Sequence, residues 1–197
     1  MAYQVIDLEC PGCGFPVHTD MKTCPRCGRP VVISTFSSMS EMMGPDFMKW
    51  QRSYTNLASI YPDHPQVHST LAFCHFKLKR YDKAMPHFEK AIEDCFDNAD
   101  LYFYAAICKL QGKMAFTARR ADIKEIEALL NAALMIEEKA IYYYFLAYIK
   151  YDFYERKKFN TTPNYRECLQ TALNTGLSEH DVSELYAILG VSRPAYL

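Results

Sequence analysis

The stretch from Gln66 to Asn98 constrains the fold more tightly than any other part of the sequence. Small and large apolar residues recur there at the offsets that two short antiparallel helices need in order to pack. The small residues lie where the two helices would touch, and the large ones lie where another helix pair would dock. Together these residues are Leu71, Ala72, Tyr81, Ala84, Phe88 and Ala91. A single helical hairpin cannot bury its apolar face alone, so the pattern predicts helices on both sides of it.

The same stretch resembles the tetratricopeptide repeat, a helix–turn–helix unit of about 34 residues. Two later segments resemble the first helix of such a unit. They are residues 101–110, with Ala105-Ala106 at the small positions, and residues 140–154, with Leu146-Ala147. The turns that follow these segments are longer than the family pattern. The resemblance implies a stack of helix pairs, about eight helices in all.

Local signals predict where the helices begin. Proline suits the first turn of a helix, and a capping residue followed three positions later by an acidic one marks a helix start. Helix starts are expected at Pro45, near Asp82 (so that Pro86 falls in a first turn), at Asp122 with Glu125, at Thr162-Pro163, and at Ser178 with Asp181. The last helix is expected to end near Gly190.

Four cysteines near the start of the chain form two Cys-x-x-Cys pairs, Cys10 with Cys13 and Cys24 with Cys27. Two such pairs can place four thiolates tetrahedrally around one zinc ion, with no position left open for water. A glycine follows each pair and can take the positive φ of a tight turn. The doubled Cys-Pro-x-Cys-Gly motif resembles a zinc ribbon, which implies one structural Zn²⁺. Short β-type runs flank the motif at residues 4–8, 15–19 and 31–36.

Two other interpretations of this motif remain open. A rubredoxin-like iron site would use the same four ligands, and the sequence does not separate iron from zinc. A redox dithiol would need one Cys-x-x-Cys pair beside a βαβ pattern, which this sequence does not contain. The remaining cysteines lie in helical patterns and are expected to be buried structural thiols; they are Cys74, Cys95, Cys108 and Cys168.

The expected fold class is mainly α, a tetratricopeptide-like repeat stack of about eight helices with a small N-terminal β zinc ribbon. Residues 1–33 would form the ribbon, and residues 34–44, rich in serine and methionine, a linker. Residues 45–197 would form the helical repeat domain.

The resemblance also implies a partner surface on the first helices of the repeats. Carrying the family's groove positions onto this chain gives Phe73, Phe76, Lys77, Phe103, Ile107, Leu110, Tyr144, Tyr148 and Tyr151. Such an aromatic wall would suit a peptide or a partner helix. The alternative is that these residues are core, covered by the chain itself. A second candidate is the basic group Lys109, Lys113, Arg119 and Arg120, which could grip an acidic motif or phosphate or could be a solvated loop.

Composition narrows the function classes. The formal net charge is −1, and basic residues of the ribbon are matched by acidic ones, so bulk attraction to nucleic acid is not expected. We find no run long enough for a transmembrane span, no secretory signal and no catalytic or nucleotide-binding motif. The sequence predicts a cytoplasmic, non-enzymatic adaptor that binds a protein or peptide through its helical repeats, with no small-molecule substrate. The zinc ribbon would be a second interaction module, which would hold a second partner or brace the repeats. The alternative is a nucleic-acid-associated accessory factor that uses the ribbon.

Overall fold

A computed structural model describes residues 4–35, 38 and 42–197. Eight α-helices are present among these residues, together with a two-stranded sheet near the N-terminus. The predicted class, mainly α with a small β element, is confirmed. None of the helices in these ranges combines the length and the apolar composition needed to cross a membrane.

The sheet consists of β1 (Asp7–Glu9) and β2 (Pro16–His18), which pair antiparallel with Leu8 opposite Val17. A single bridge joins Thr23 to Pro30. The predicted third strand is wrong for residues 31–35, which are not a strand, and Phe36 lies outside the described residues. The side chains of Tyr54, Ser69 and Thr70 bond to the carbonyl of Val31 and to the N–H and carbonyl of Ile33, so these backbone groups are not available to a β-ladder.

The helices follow the predicted order. Their bounds are α1 Gly44–Ile60, α2 Pro65–Lys77, α3 Tyr81–Asp94, α4 Ala99–Leu110, α5 Arg120–Ile136, α6 Ala140–Ile149, α7 Tyr165–Asn174 and α8 Glu179–Leu189. A short 3₁₀ turn, Ala115–Thr117, precedes α5, and a π-helical turn, Lys150–Glu155, continues α6. The pairs α2/α3, α4/α5 and α6/α7 pack as hairpins, as the repeat pattern predicts.

Two helix starts differ from the prediction by two or three residues. The helix expected at Asp122 begins at Arg120, and Asp122 in its first turn accepts from Arg119 at 2.8 Å. The helix expected at Thr162-Pro163 begins at Tyr165, where Asn164 accepts from the backbone N–H groups of the first turn. The predicted cap at Ser178 is confirmed, since its hydroxyl accepts from the N–H of Asp181 at 3.1 Å.

The chain divides into two compact units, Met1–Phe96 and Asp97–Leu197. The first unit holds the cysteine-rich segment and helices α1 to α3, and Trp50, Leu71 and Phe88 are buried in it. The second unit holds helices α4 to α8. Its buried side chains include Leu101, Ile126, Leu130, Phe145 and Leu185.

This division differs from the predicted boundaries at residues 33 and 44, because residues 4–33 pack against α1 and α2 as part of one unit. The proposed linker, residues 34–44, lies partly outside the described residues. The three-part division therefore stays a prediction.

Candidate functional site

The four N-terminal cysteines come together as one cluster. The Sγ atoms of Cys10 and Cys27 are 3.7 Å apart, and those of Cys13 and Cys24 are also 3.7 Å apart. All four sulfur atoms lie within 4.8 Å of one another. A tetrahedral site with metal–sulfur bonds of about 2.3 Å requires sulfur–sulfur separations of about 3.8 Å. The donor set therefore fits one tetrahedral metal ion of the zinc type.

Two tight turns hold these sulfur atoms in place. The carbonyl of Cys10 accepts from the N–H of Gly14 at 2.8 Å, and the carbonyl of Cys24 accepts from the N–H of Gly28 at 2.9 Å. Gly14 has a φ of 72° and Gly28 a φ of 71°, in the left-handed region that favours glycine. These turns require a glycine after each pair, as the sequence predicted.

Backbone N–H groups also point at the sulfur atoms. Burial raises the pKa of the Cys24 thiol, but hydrogen bonds from the N–H groups of Cys27 and Arg26, together with those from the thiols of Cys13 and Cys10, outweigh that effect and hold the pKa at about 7. Burial raises the pKa of the Cys10 thiol to about 12 despite similar bonds from Gly12 and Cys13. A bound Zn²⁺ would supply the positive charge that keeps both groups as thiolates.

The cysteine module has only a small core of its own, formed by Cys10, Val17, Cys24 and Val31. A module of this size has too little apolar surface to fold alone, so a metal or a neighbouring structure must supply the missing stability. The structure provides such a neighbour in α1 and α2.

Three side chains of α1 contact the end of the cysteine module. The indole N–H of Trp50 donates to the carbonyl of Pro30 at 3.2 Å, and the hydroxyl of Tyr54 donates to the carbonyl of Val31 at 2.6 Å. Asp46 forms an ion pair with Arg29 at 3.3 Å. Trp50 and Tyr54 have no exposed surface, so these bonds lie in a dry interface.

Helix α2 continues this interface. The N–H of Ile33 donates to the hydroxyl of Thr70 at 3.0 Å, and the hydroxyl of Ser69 donates to the carbonyl of Ile33 at 2.8 Å. The Nε2 atom of His64 donates to the carbonyl of Gln4 at 2.7 Å. Sequence reasoning missed these contacts. The sequence feature that points to the contacts of α1 is a tryptophan and a tyrosine four positions apart on one face of that helix.

The nine residues expected to line a partner surface are mostly buried. Seven of them are covered: Phe73, Phe76, Phe103, Ile107, Leu110, Tyr144 and Tyr148. Lys77 is exposed and Tyr151 is half-buried. Phe73 packs edge-on against Phe88 at 5.4 Å between ring centroids, within one hairpin. The structure does not show an exposed aromatic wall at these seven positions. The alternative, a role in core packing, agrees with their burial.

Three histidines stack within the α2/α3 hairpin, with His87 between His68 and His75. The Nε2 atom of His68 is 2.6 Å from the carbonyl of Pro62, and the Nδ1 atoms of His68 and His87 are 2.8 Å apart. Because a carbonyl only accepts, the Nε2 atom of His68 donates to Pro62, and the Nδ1 atom of His68 faces His87. Burial and the charges of His68, His75 and Lys90 lower the pKa of His87 to about 4.

His68 and His75 lie seven positions apart in the sequence, on one face of α2. The structure adds His87 from the second helix of the hairpin. The rings lie as a stack and do not converge on one point. Of the other predicted buried groups, Cys74, Cys108 and Cys168 are buried, whereas Cys95 is half-buried.

One segment of the chain matches a known protein family. Residues 65–93, which form α2 and most of α3, match the family model of the tetratricopeptide repeat. The match covers the hairpin on which the sequence argument rests, and it confirms the resemblance for this segment. A comparison with curated proteins returned no match.

Proposed function

We propose that this protein is a non-enzymatic adaptor that binds a protein or peptide partner through its helical part and carries one structural zinc ion in its cysteine module. The tetratricopeptide hairpin at residues 65–93 is the observation that carries this proposal. Stacked helical hairpins of this kind present extended surfaces suited to binding other proteins. The cytoplasm is the proposed compartment, because a four-thiolate site needs reduced cysteines.

The cysteine module would act mainly as a brace for the first helices. Its contacts with α1 and α2 use backbone carbonyls of Pro30, Val31 and Ile33, and the helix side chains that reach them are buried. A module held in this way stabilises the end of the helical unit and covers an apolar face that would otherwise meet water. Bracing is better supported than an independent second binding module.

The zinc assignment rests on the donor set. Four cysteine sulfurs leave no ligand position for water, which is the arrangement of a structural site. Metal analysis of protein purified without added metal should find one equivalent of zinc per chain, and Cys24→Ser should lose it. If the metal is iron, the site is the rubredoxin-like alternative, which uses the same four cysteines. Finding no metal in the parent protein would refute the assignment.

Partner contacts require accessible residues. Of the nine predicted positions, Lys77 and Tyr151 remain accessible, so the proposal assigns contact roles to them and a packing role to the other seven. Affinity capture from the native host should recover a protein in fixed stoichiometry, and Lys77→Glu or Tyr151→Ala should weaken its capture without lowering stability. If no protein is captured in fixed stoichiometry, the adaptor function is refuted.

The nucleic-acid alternative has weaker support. Arg29, one of three basic residues in the cysteine module, is engaged by Asp46. Lys22 and Arg26 are the others, and three acidic residues of the same module, Asp7, Glu9 and Asp20, match the basic ones in number. Salt-sensitive binding of this module to RNA or DNA at low ionic strength would revive the alternative.

A further inference from the structure

The lengthened turn after α4 is fixed to the end of α6. The N–H of Phe116 in the 3₁₀ turn donates to the Asp152 carboxylate at 2.7 Å, and the N–H of Ala115 donates to the Tyr148 hydroxyl at 3.4 Å. Asp152 is buried and also pairs with Arg156. Two segments that are far apart in sequence therefore meet in one place within the second unit.

A row of cations and aromatic rings runs across this junction. Arg156 lies 4.3 Å from the ring centre of Phe116, and Lys157 lies 3.9 Å from that of Phe153. Phe153 contacts Phe159 at 6.1 Å, and Arg120 lies 5.8 Å from the ring centre of Phe159. Cation–π contacts of this kind hold long basic side chains in defined positions.

Positive charge is in excess here. Arg119, Arg156 and Lys109 have carboxylate partners. Five other basic residues of the turn, of α5 and of the segment after the π-helical turn form no salt bridge with any described residue: Lys113, Arg120, Lys124, Lys157 and Lys158. Glu155 in the same segment offsets one of these charges. All five are exposed except Lys157, which is half-buried.

The backbone also fixes the end of the segment. Lys158 has a φ of 57°, the left-handed conformation that closes a helix. The N–H of Phe159 then donates to the carbonyl of Tyr154 at 2.9 Å. The backbone that carries Lys157 and Lys158 is therefore fixed, and the Lys157 ammonium is also held over the ring of Phe153. Ordered cations lose less conformational entropy when a partner binds.

We propose that this basic patch, defined by Arg120, Lys157 and Lys158, binds a carboxylate-rich peptide segment of a protein partner. The inference rests on the proposed adaptor function and names the chemistry of one contact. The ring faces of Phe116 and Phe153 are already covered by the chain's own cations. Single-stranded nucleic acid is bound through several successive aromatic faces on which bases stack. This patch exposes one ring, Phe159, with Arg120 beside it, so its cations favour carboxylates over stacked bases.

Fluorescence anisotropy with a labelled glutamate-rich peptide tests the proposal on the full chain. Binding is expected at about 50 mM salt and should weaken at least about tenfold at about 300 mM, because exposed charges are screened. A glutamine peptide of the same length and a single-stranded oligouridine are the comparison ligands. Tighter binding of the oligouridine than of the glutamate peptide would overturn the proposal.

Charge reversal locates the binding surface. Arg120→Glu with Lys158→Glu should lower affinity for the glutamate peptide by about tenfold or more, since both like-charge repulsion and lost attraction act. Lys49→Glu with Arg52→Glu is the matched control, because it reverses one lysine and one arginine at exposed positions of α1. The control should lose less than about threefold. Thermal unfolding of both double variants checks that each is folded, and Arg120→Gln with Lys158→Gln provides a milder pair.

The proposal for this patch is refuted if the two double variants lose equal affinity for the glutamate peptide, or if the parent protein does not bind that peptide. Capture of a protein partner in fixed stoichiometry would still support the adaptor function in that case. The two proposals can therefore fail separately.

Discussion

Tyr54→Phe tests whether the cysteine module is part of the first helical unit. The substitution removes one oxygen atom and leaves the ring in place. The lost hydroxyl donates to the carbonyl of Val31 at 2.6 Å, and Tyr54 has no exposed surface. A buried carbonyl that loses its donor costs about 1–3 kcal/mol, and we expect a loss of about 2 kcal/mol in the free energy of unfolding. For a domain that is stable by about 5–15 kcal/mol, this is a large fraction.

Denaturant unfolding followed by tryptophan fluorescence measures this loss. The chain has one tryptophan, Trp50, and it lies in the same interface. The midpoint should fall while the dependence of stability on denaturant stays unchanged, because the surface exposed on unfolding is the same. Tyr61→Phe is the matched control, since it removes the same atom from a half-buried ring of the same unit. We expect it to change stability by less than about 0.5 kcal/mol.

Two results would refute the reasoning. If Tyr54→Phe changed stability no more than Tyr61→Phe, the bond to Val31 would contribute nothing to folding. If the cysteine module unfolded in a separate transition that left Trp50 fluorescence unchanged, the module would not belong to the first unit.

Three further predictions follow from the metal cluster, the aromatic core and the histidine stack. Removing the metal with a chelator, or by Cys24→Ser, should unfold the cysteine module and also lower the unfolding midpoint of helices α1 to α3. Circular dichroism that shows unchanged stability of these helices would contradict this. Tyr148→Ala should lower the free energy of unfolding by about 3–5 kcal/mol in a thermal or denaturant experiment, because the side chain is buried. A variant that keeps full stability and loses only partner binding would show that Tyr148 is not a core residue. Folding lowers the pKa of His87 from 6.5 to about 4, so its stabilising contribution is complete above pH 6.5 and is lost as the pH falls to about 4. After allowance for its partial exposure, the loss should be about 1–2 kcal/mol, and His87→Gln should flatten the pH dependence of unfolding between these values.

The sequence predicted the cysteine cluster because the ligands, their spacing and the glycine turns are local properties. Cys10 and Cys13, like Cys24 and Cys27, are close in sequence, and one metal geometry explains both pairs. The hairpin at residues 65–93 was predictable for the same reason, since its small and large residues follow the helical period over a short range.

Contacts between distant segments were not predictable in this way. The spacing of Trp50 and Tyr54 marks one face of α1, but it does not show that the Trp50 N–H meets the carbonyl of Pro30, because that contact depends on where the whole module packs. The aromatic positions of the first helices illustrate a second limit. A helix with apolar residues on most of its surface, such as α6, has the same pattern whether its outer face binds a partner or is covered by the chain. Tyr144 and Tyr148 are buried because α8 packs Tyr186 against both of their rings, and the pattern of α6 alone does not contain this information.

The π-helical turn at Lys150–Glu155 has a consequence for the orientation of everything that follows it. Such a turn accommodates one residue more than an α-helical turn does, and each residue of an α-helix rotates the next side chain by about 100°. Winding the same residues as a regular α-helix would rotate every side chain after the turn by about that angle. Arg156 and Lys157 would then swing away from Phe116 and Phe153, so the local winding of the backbone sets which way these cations face.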